Sequence, residues 1–473
     1  MKQSLTNKKN EMKTLKNLKN LSFLFLGLIL VTACSDDDGP APFVPTNNIV
    51  EIAQATPQLS SLESALIKYP DLISLLSGTG NFTVFAPNNT AFDELLVAIG
   101  QTSIDDIPED VLKNVLQYHV YSTAALEASA VTTGTITMAN GEDADVVADS
   151  NGVTVANANV IAIDAIATNG VVHIVDSVMV PPSILPIVGT IVAPAYFNKD
   201  FTTLIAAVLA ADPSILDLLL SDGTGGNGLT LFAPTNDAFA AAGITDVNGA
   251  DAILAYHVIN GATIMASMLP TTDGSAAEVE TVGGNIYVTN AGSGVFINGT
   301  TEVVATDISG SNGVVHVIDR TLIPPTQTIN EIVGDFATAT PGEFTLLAAA
   351  LERANLSDFF SGDGPFTVFA PTDAAFLAAN LDEAAINATD PAAVAGILTH
   401  HVVEPNAYVF STDLSDGTVP MLNMQSVTIS LGDLTVQDAA GSTPAAGLVP
   451  TLLNVHATNG VVHVIDQVLL PSS

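Results

Sequence analysis

The chain has 473 residues, 48% of them apolar, so at roughly 100 to 200 residues per domain it should form several domains, each with material for its own core; wholesale disorder is excluded. Asp and Glu number 49 against 11 Lys and Arg, for a formal net charge of −38, and six of those cations (Lys2, Lys8, Lys9, Lys13, Lys16 and Lys19) lie at the start of the chain. No basic patch remains to meet a phosphate backbone, which excludes nucleic acid as a partner.

The first element is an address. A lysine-rich stretch is followed by an apolar run from Leu21 to Val31 and then by Thr32-Ala33-Cys34. Residues 1–33 therefore read as a secretory signal peptide, too short to span a membrane comfortably as a permanent helix. The small residues before the chain's single cysteine resemble a bacterial lipobox, which makes Cys34 the expected lipid anchor and mature N-terminus. The alternative is an ordinary cleavable signal with an incidental cysteine, although an exported free thiol is unusual. Residues 34–46 form an acidic, Pro-rich tether. Within it, Ser35, Asp36, Asp37 and Asp38 resemble the signal that sends lipoproteins to the outer face of the outer membrane in Bacteroidetes-like bacteria; the alternative is a merely solvated spacer. Cleavage before Cys34 leaves five Lys and Arg against 48 Asp and Glu, and without a second cysteine each domain depends on its apolar core.

The rest of the chain repeats three times. Phe82–Pro87 (Phe-Thr-Val-Phe-Ala-Pro) recurs as Leu229–Pro234 and Phe366–Pro371, at offsets of 147 and 137 residues. Asn169–Asp176 (Asn-Gly-Val-Val-His-Ile-Val-Asp) recurs as Asn312–Asp319 and Asn459–Asp466, and between the two blocks Tyr118-His119 corresponds to Tyr256-His257 and His400-His401. Units of this length can hold private cores, unlike solenoid repeats. Paired prolines at Pro181-Pro182 and Pro324-Pro325 suggest domains over 47–182, 183–325 and 326–473.

Each unit opens on helical spacing, as in Leu62, Leu66 and Ile67, closed by a glycine turn. The first block reads as a strand that passes after its proline into a helix capped by Asn88, Thr235 or Thr372. Pro108 and Asp390-Pro391 start a further amphipathic helix, which the Tyr-His pair ends. The last block follows an apolar run across an Asn-Gly turn, giving a hairpin expected to be buried on both faces. The fold class is α+β around an antiparallel sheet core.

These blocks, in fixed order over nearly the whole chain past the signal, resemble fasciclin-like domains. The resemblance implies three tandem domains, each a wedge-shaped antiparallel β-sandwich flanked by helices, with a role in extracellular adhesion or matrix contact and no catalysis. In animal members the Tyr-His region is associated with integrin-mediated adhesion. That maps a candidate adhesion motif onto Tyr118, His119, Tyr256 and His257, and onto His400 and His401 where the third copy departs from Tyr-His. The second copy is also short between its first block and its Tyr-His pair, which suggests a trimmed helix or loop.

The histidines invite a metal or hydrolase reading. His173, His316 and His463 instead sit among valines and isoleucines on strands, so buried, hydrogen-bonded structural roles are expected, together with Asp176, Asp319 and Asp466 of the same block. No Gly-x-Ser-x-Gly elbow, His-Glu-x-x-His helix or complete calcium loop is present, and the glycine run Gly223–Gly228 follows a helix and precedes a strand, the reverse of dinucleotide-binding order. The sequence thus points to a non-enzymatic surface lipoprotein with no cofactor or metal. Its partners would be the membrane, through the lipid, and an extracellular protein or polysaccharide met multivalently. A glycan-binding component of a nutrient uptake system is the alternative; a spacer or a hydrolase is a weaker one.

Overall fold

The computed structural model describes residues 44–269, 276–290, 294–340 and 342–472; Cys34 and Ser35 to Asp38 lie outside them. The fold occupies the unit Thr46–Ser473. Each repeat begins with helices, in the first copy Ile49–Ala55, Ser60–Leu66 and Pro70–Ser77. Their starts follow from local chemistry. Asn48 and Thr328 each form a capping box with the glutamate three residues on, and Pro70 occupies a first-turn position where no amide hydrogen is needed. After the first-block strand, Asn88, Thr235 and Thr372 accept from the amides of Ala91, Ala238 and Ala375, as expected for caps. The shortened second copy carries a six-residue helix, Asp251–Tyr256, where the first and third have nine-residue helices, Glu109–Gln117 and Pro391–Thr399.

Antiparallel pairing dominates the sheets, with one parallel pair at the centre of each repeat. Phe82–Pro87 runs parallel to Gly170–Val175, Leu229–Pro234 to Gly313–Ile318, and Phe366–Pro371 to Gly460–Ile465. The long intervening segment of helices and hairpins lets two distant strands lie side by side in the same direction. Burial on both faces suits such central strands. Val84 and Ala86 join the helical side of the core, while Phe85 packs on the other side with Tyr118, Met138, Val146 and Val155. The closing hairpin only half meets its expectation. Gly170–Val175 is buried throughout, but its partner Ala158–Ala167 carries two register shifts that turn Ile161 and Ile163 outward. In the third copy the matching strand is interrupted at Pro450–Leu452, where proline removes a ladder donor, and the sheet divides into three- and four-stranded parts.

The helical cores of repeats 1 and 2 are not separate. One apolar cluster runs from Ile49 through Leu116 into Ile191, Phe197 and Leu254, whereas repeat 3 has clusters of its own. The junction is tied by Gln101 Nε2 donating to Pro194 O (2.9 Å) and by the Lys199 amide donating to Asp106 O (2.8 Å). Repeats 1 and 2 are therefore fused across an apolar seam, which the idea of private cores did not anticipate.

Candidate functional site

The Tyr-His pair sits where a helix ends and the chain turns back into the sheet. Tyr118 is the C-cap of Glu109–Gln117, and His119 follows it. His119 Nδ1 lies 2.7 Å from Val115 O, one turn earlier, so it carries the proton and donates; Nε2 accepts from the Met179 amide at 2.8 Å. The same clamp recurs at His257, between Ile253 O and the Leu322 amide, and at His401, between Ile397 O and the Leu469 amide. Burial lowers the pKa of all three from 6.5 to about 4, so they stay neutral at pH 7. Tyr118 and Tyr256 donate their hydroxyls to Asp143 O and Asn285 O, both at 2.8 Å, and burial raises their pKa to about 12. His400 replaces the tyrosine in the third copy and donates from Nδ1 to Asn423 Oδ1 (3.1 Å).

The candidate adhesion residues thus face inward: Tyr118, His119, Tyr256, His257, His400 and His401 are each at most 2% exposed. Their side chains pin a helix end to the strand and to the segment after the closing strand.

The histidines of the closing strand use the opposite tautomer. His173 Nδ1 accepts from the Asp164 amide (3.2 Å) and Nε2 donates to Leu126 O (2.7 Å). His316 and His463 repeat this with Asp307 and Ile264, and with Asn454 and Val409. Each ring lies against the first-block phenylalanine, Phe85, Phe232 or Phe369, at 5.6–5.8 Å. Asp176, Asp319 and Asp466 close the strand ends, accepting from the amides of Asn159, Glu302 and Gly447. An imidazole with both nitrogens engaged has neither a lone pair nor a proton to offer, so these six rings cannot act as general bases as they stand. Among the described residues, no group of three or more His, Cys, Asp or Glu could hold a metal ion.

Two positions escaped the sequence reading. Asn169 looked like half of a turn, yet it is buried, accepts from the Ile49 amide (3.1 Å) and donates to Leu76 O and Gly78 O (2.7 and 2.8 Å). Asn312 and Asn459 make the same three bonds in their repeats. Thr83, Thr230 and Thr367, all fully buried, donate to Ala124 O, Ala262 O and Ala407 O. Their identity in all three copies was the available signal.

A family model, the fasciclin domain, matches residues 57–181, 199–324 and 342–471. Over 442 residues the chain is 26% identical to transforming growth factor-beta-induced protein ig-h3 of Sus scrofa, covering 90% of this chain and 58% of that protein. Over 433 residues it is 24% identical to Periostin of Homo sapiens, covering 90% and 47%. Over 141 residues it is 34% identical to the cell surface glycolipoprotein MPB83 of Mycobacterium bovis, covering 28% and 61%. The chain spans about half the length of the first two relatives.

Proposed function

This chain belongs to the fasciclin domain family, and from that membership we propose that it is a cell-surface adhesion protein whose three repeats act together as a multivalent binding module. The observation that carries the reading is the sealed interior. The histidines that could suggest chemistry are used as clamps, so what the fold offers outward is three related surfaces on one chain. Likeness to a relative described as a cell surface glycolipoprotein supports a surface location. Acylation at Cys34, with Ser35 to Asp38 directing the chain to the outer face of the outer membrane, would supply the anchor.

The test is binding of the full chain to immobilised extracellular proteins and polysaccharides. Saturable binding that weakens when the target is presented sparsely supports adhesion through several repeats. Binding to soluble oligosaccharides alone would favour glycan capture for uptake, and no binding to any surface would refute the proposal. Palmitate labelling lost in Cys34→Ser checks the anchor.

A further inference from the structure

The second junction is built differently from the apolar seam between repeats 1 and 2. Tyr287, on the strand Gly284–Asn290 of repeat 2, stacks on Tyr408 of repeat 3 with ring centroids 4.3 Å apart. Phe410 and His456 complete the cluster at 5.6 and 6.0 Å from Tyr287. Thr289 donates to Asp413 Oδ1 (2.6 Å), and Asn454 Nδ2 donates across to Gly299 O (3.0 Å). Approach is so close at Gly299 that a Cβ there would lie 2.6 Å from Phe410 Cβ. In the midst of this contact, His456 Nδ1 is buried with no hydrogen-bond partner. That sets it apart from the six clamping histidines, whose nitrogens are paired.

We propose that the contact between repeats 2 and 3 is an acid-opened joint: protonation of His456, held among Tyr287, Tyr408 and Phe410 without an acceptor, releases repeat 3 while repeats 1 and 2 stay fused. A charged imidazolium in this position would hold the Nδ1 hydrogen buried with no acceptor, and opening the joint returns it to water. Four other ionisable groups face the cluster besides Tyr287: Glu278 beside Tyr287, Tyr256 from the same repeat, and Tyr408 and Asp413 from repeat 3. All three tyrosines are pushed up by burial and remain neutral. Asp413 is also pushed up by burial, so its protonation favours the closed joint and opposes the histidine at the acid end. Burial lowers the His456 pKa from 6.5 to about 4. Stability of the contact is therefore present above pH 6.5 and is lost as pH falls toward 4; between pH 7 and 5 the open-to-closed ratio rises about 20-fold.

The test uses the full chain in a Cys34→Ser background with dye pairs on introduced cysteines. Val304→Cys with Met424→Cys reports on repeats 2 and 3, and Val97→Cys with Val304→Cys reports on repeats 1 and 2; all three sites are exposed. Single-molecule energy transfer at pH 7 and pH 5 should show the 20-fold rise for the first pair only, with unchanged far-UV circular dichroism. His456→Phe should abolish the rise, and Tyr287→Ala should open the joint already at pH 7. An unresponsive first pair, both pairs changing together, or an undiminished response in His456→Phe would overturn the proposal.

Discussion

Replacing Asn312 with alanine should unfold the fused half of the molecule far more readily than a surface substitution. The carboxamide is only 4% exposed and serves three backbone groups: it accepts from the Ile191 amide and donates to Leu219 O and Ser221 O, each at 2.8 Å. It thereby ties the start of repeat 2 to the end of the helix Pro213–Leu220 at the point where the parallel strands meet. Alanine leaves one donor and two acceptors without this partner. At about 1 to 3 kcal/mol for each buried group left unpaired, the loss should be at least about 3 kcal/mol. Asn312→Asp sharpens the test, because at pH 7 it sets a carboxylate oxygen against the two carbonyls. It should be the more damaging change, and it should recover partly as acid protonates the carboxyl and restores one donor. Urea unfolding of the full chain, followed by far-UV circular dichroism, reads both. The apolar seam implies that the transition containing repeats 1 and 2 moves to lower urea, while that of repeat 3 stays in place. A loss below about 1 kcal/mol, or an aspartate variant no worse than the alanine variant, would refute the reasoning.

Other expectations can be checked on the same protein. Burial lowers the pKa of His119, His257, His401 and His463 from 6.5 to about 4, so the unfolded chain takes up these protons first; stability falls between pH 7 and 5 by about 2 kcal/mol per histidine. Urea midpoints in 0.5 M NaCl would show this, and a midpoint unchanged between those pH values would contradict it. Gly313→Ala places a Cβ 2.1 Å from Leu229 O at the first parallel pair, so it should cost several kcal/mol, about as much as a severe core mutation, in thermal or urea unfolding. A near-neutral result would mean that the strands separate there without penalty. Raising NaCl should increase the melting temperature, since screening relieves repulsion among 48 carboxylates set against five cations beyond residue 33. A flat or falling profile would argue that repulsion is not limiting.

The parts legible in the sequence were those decided locally. Asn88, Thr235 and Thr372 cap the helices they precede because an oxygen three residues before a free amide is a short-range arrangement. His173, His316 and His463 were readable as structural from their apolar neighbours. Parallel pairing was not readable, because a wholly apolar run such as Phe82–Pro87 states that both faces are covered but not by which strand or in which direction. The triple bond of Asn169 was hidden for a related reason: its partners are 91 to 120 residues away, and Asn-Gly on its own spells a turn. The inward aim of Tyr118 and His119 also depended on tertiary contact, since they meet Asp143 O on a later strand and the Met179 amide beyond the closing strand.

One substitution among the copies limits how the array can be rearranged. Asp164 and Asp307 hold their bulges with carboxylates, but Asn454 brings an amide, whose extra hydrogens reach Ser411 Oγ and the neighbouring repeat. A chimaera that placed the first copy last would turn a bare carboxylate toward a carbonyl at that seam. The three modules are thus not interchangeable tiles: at this junction an oxygen exchanged for a nitrogen adds to the contacts that suit the third copy to the last place.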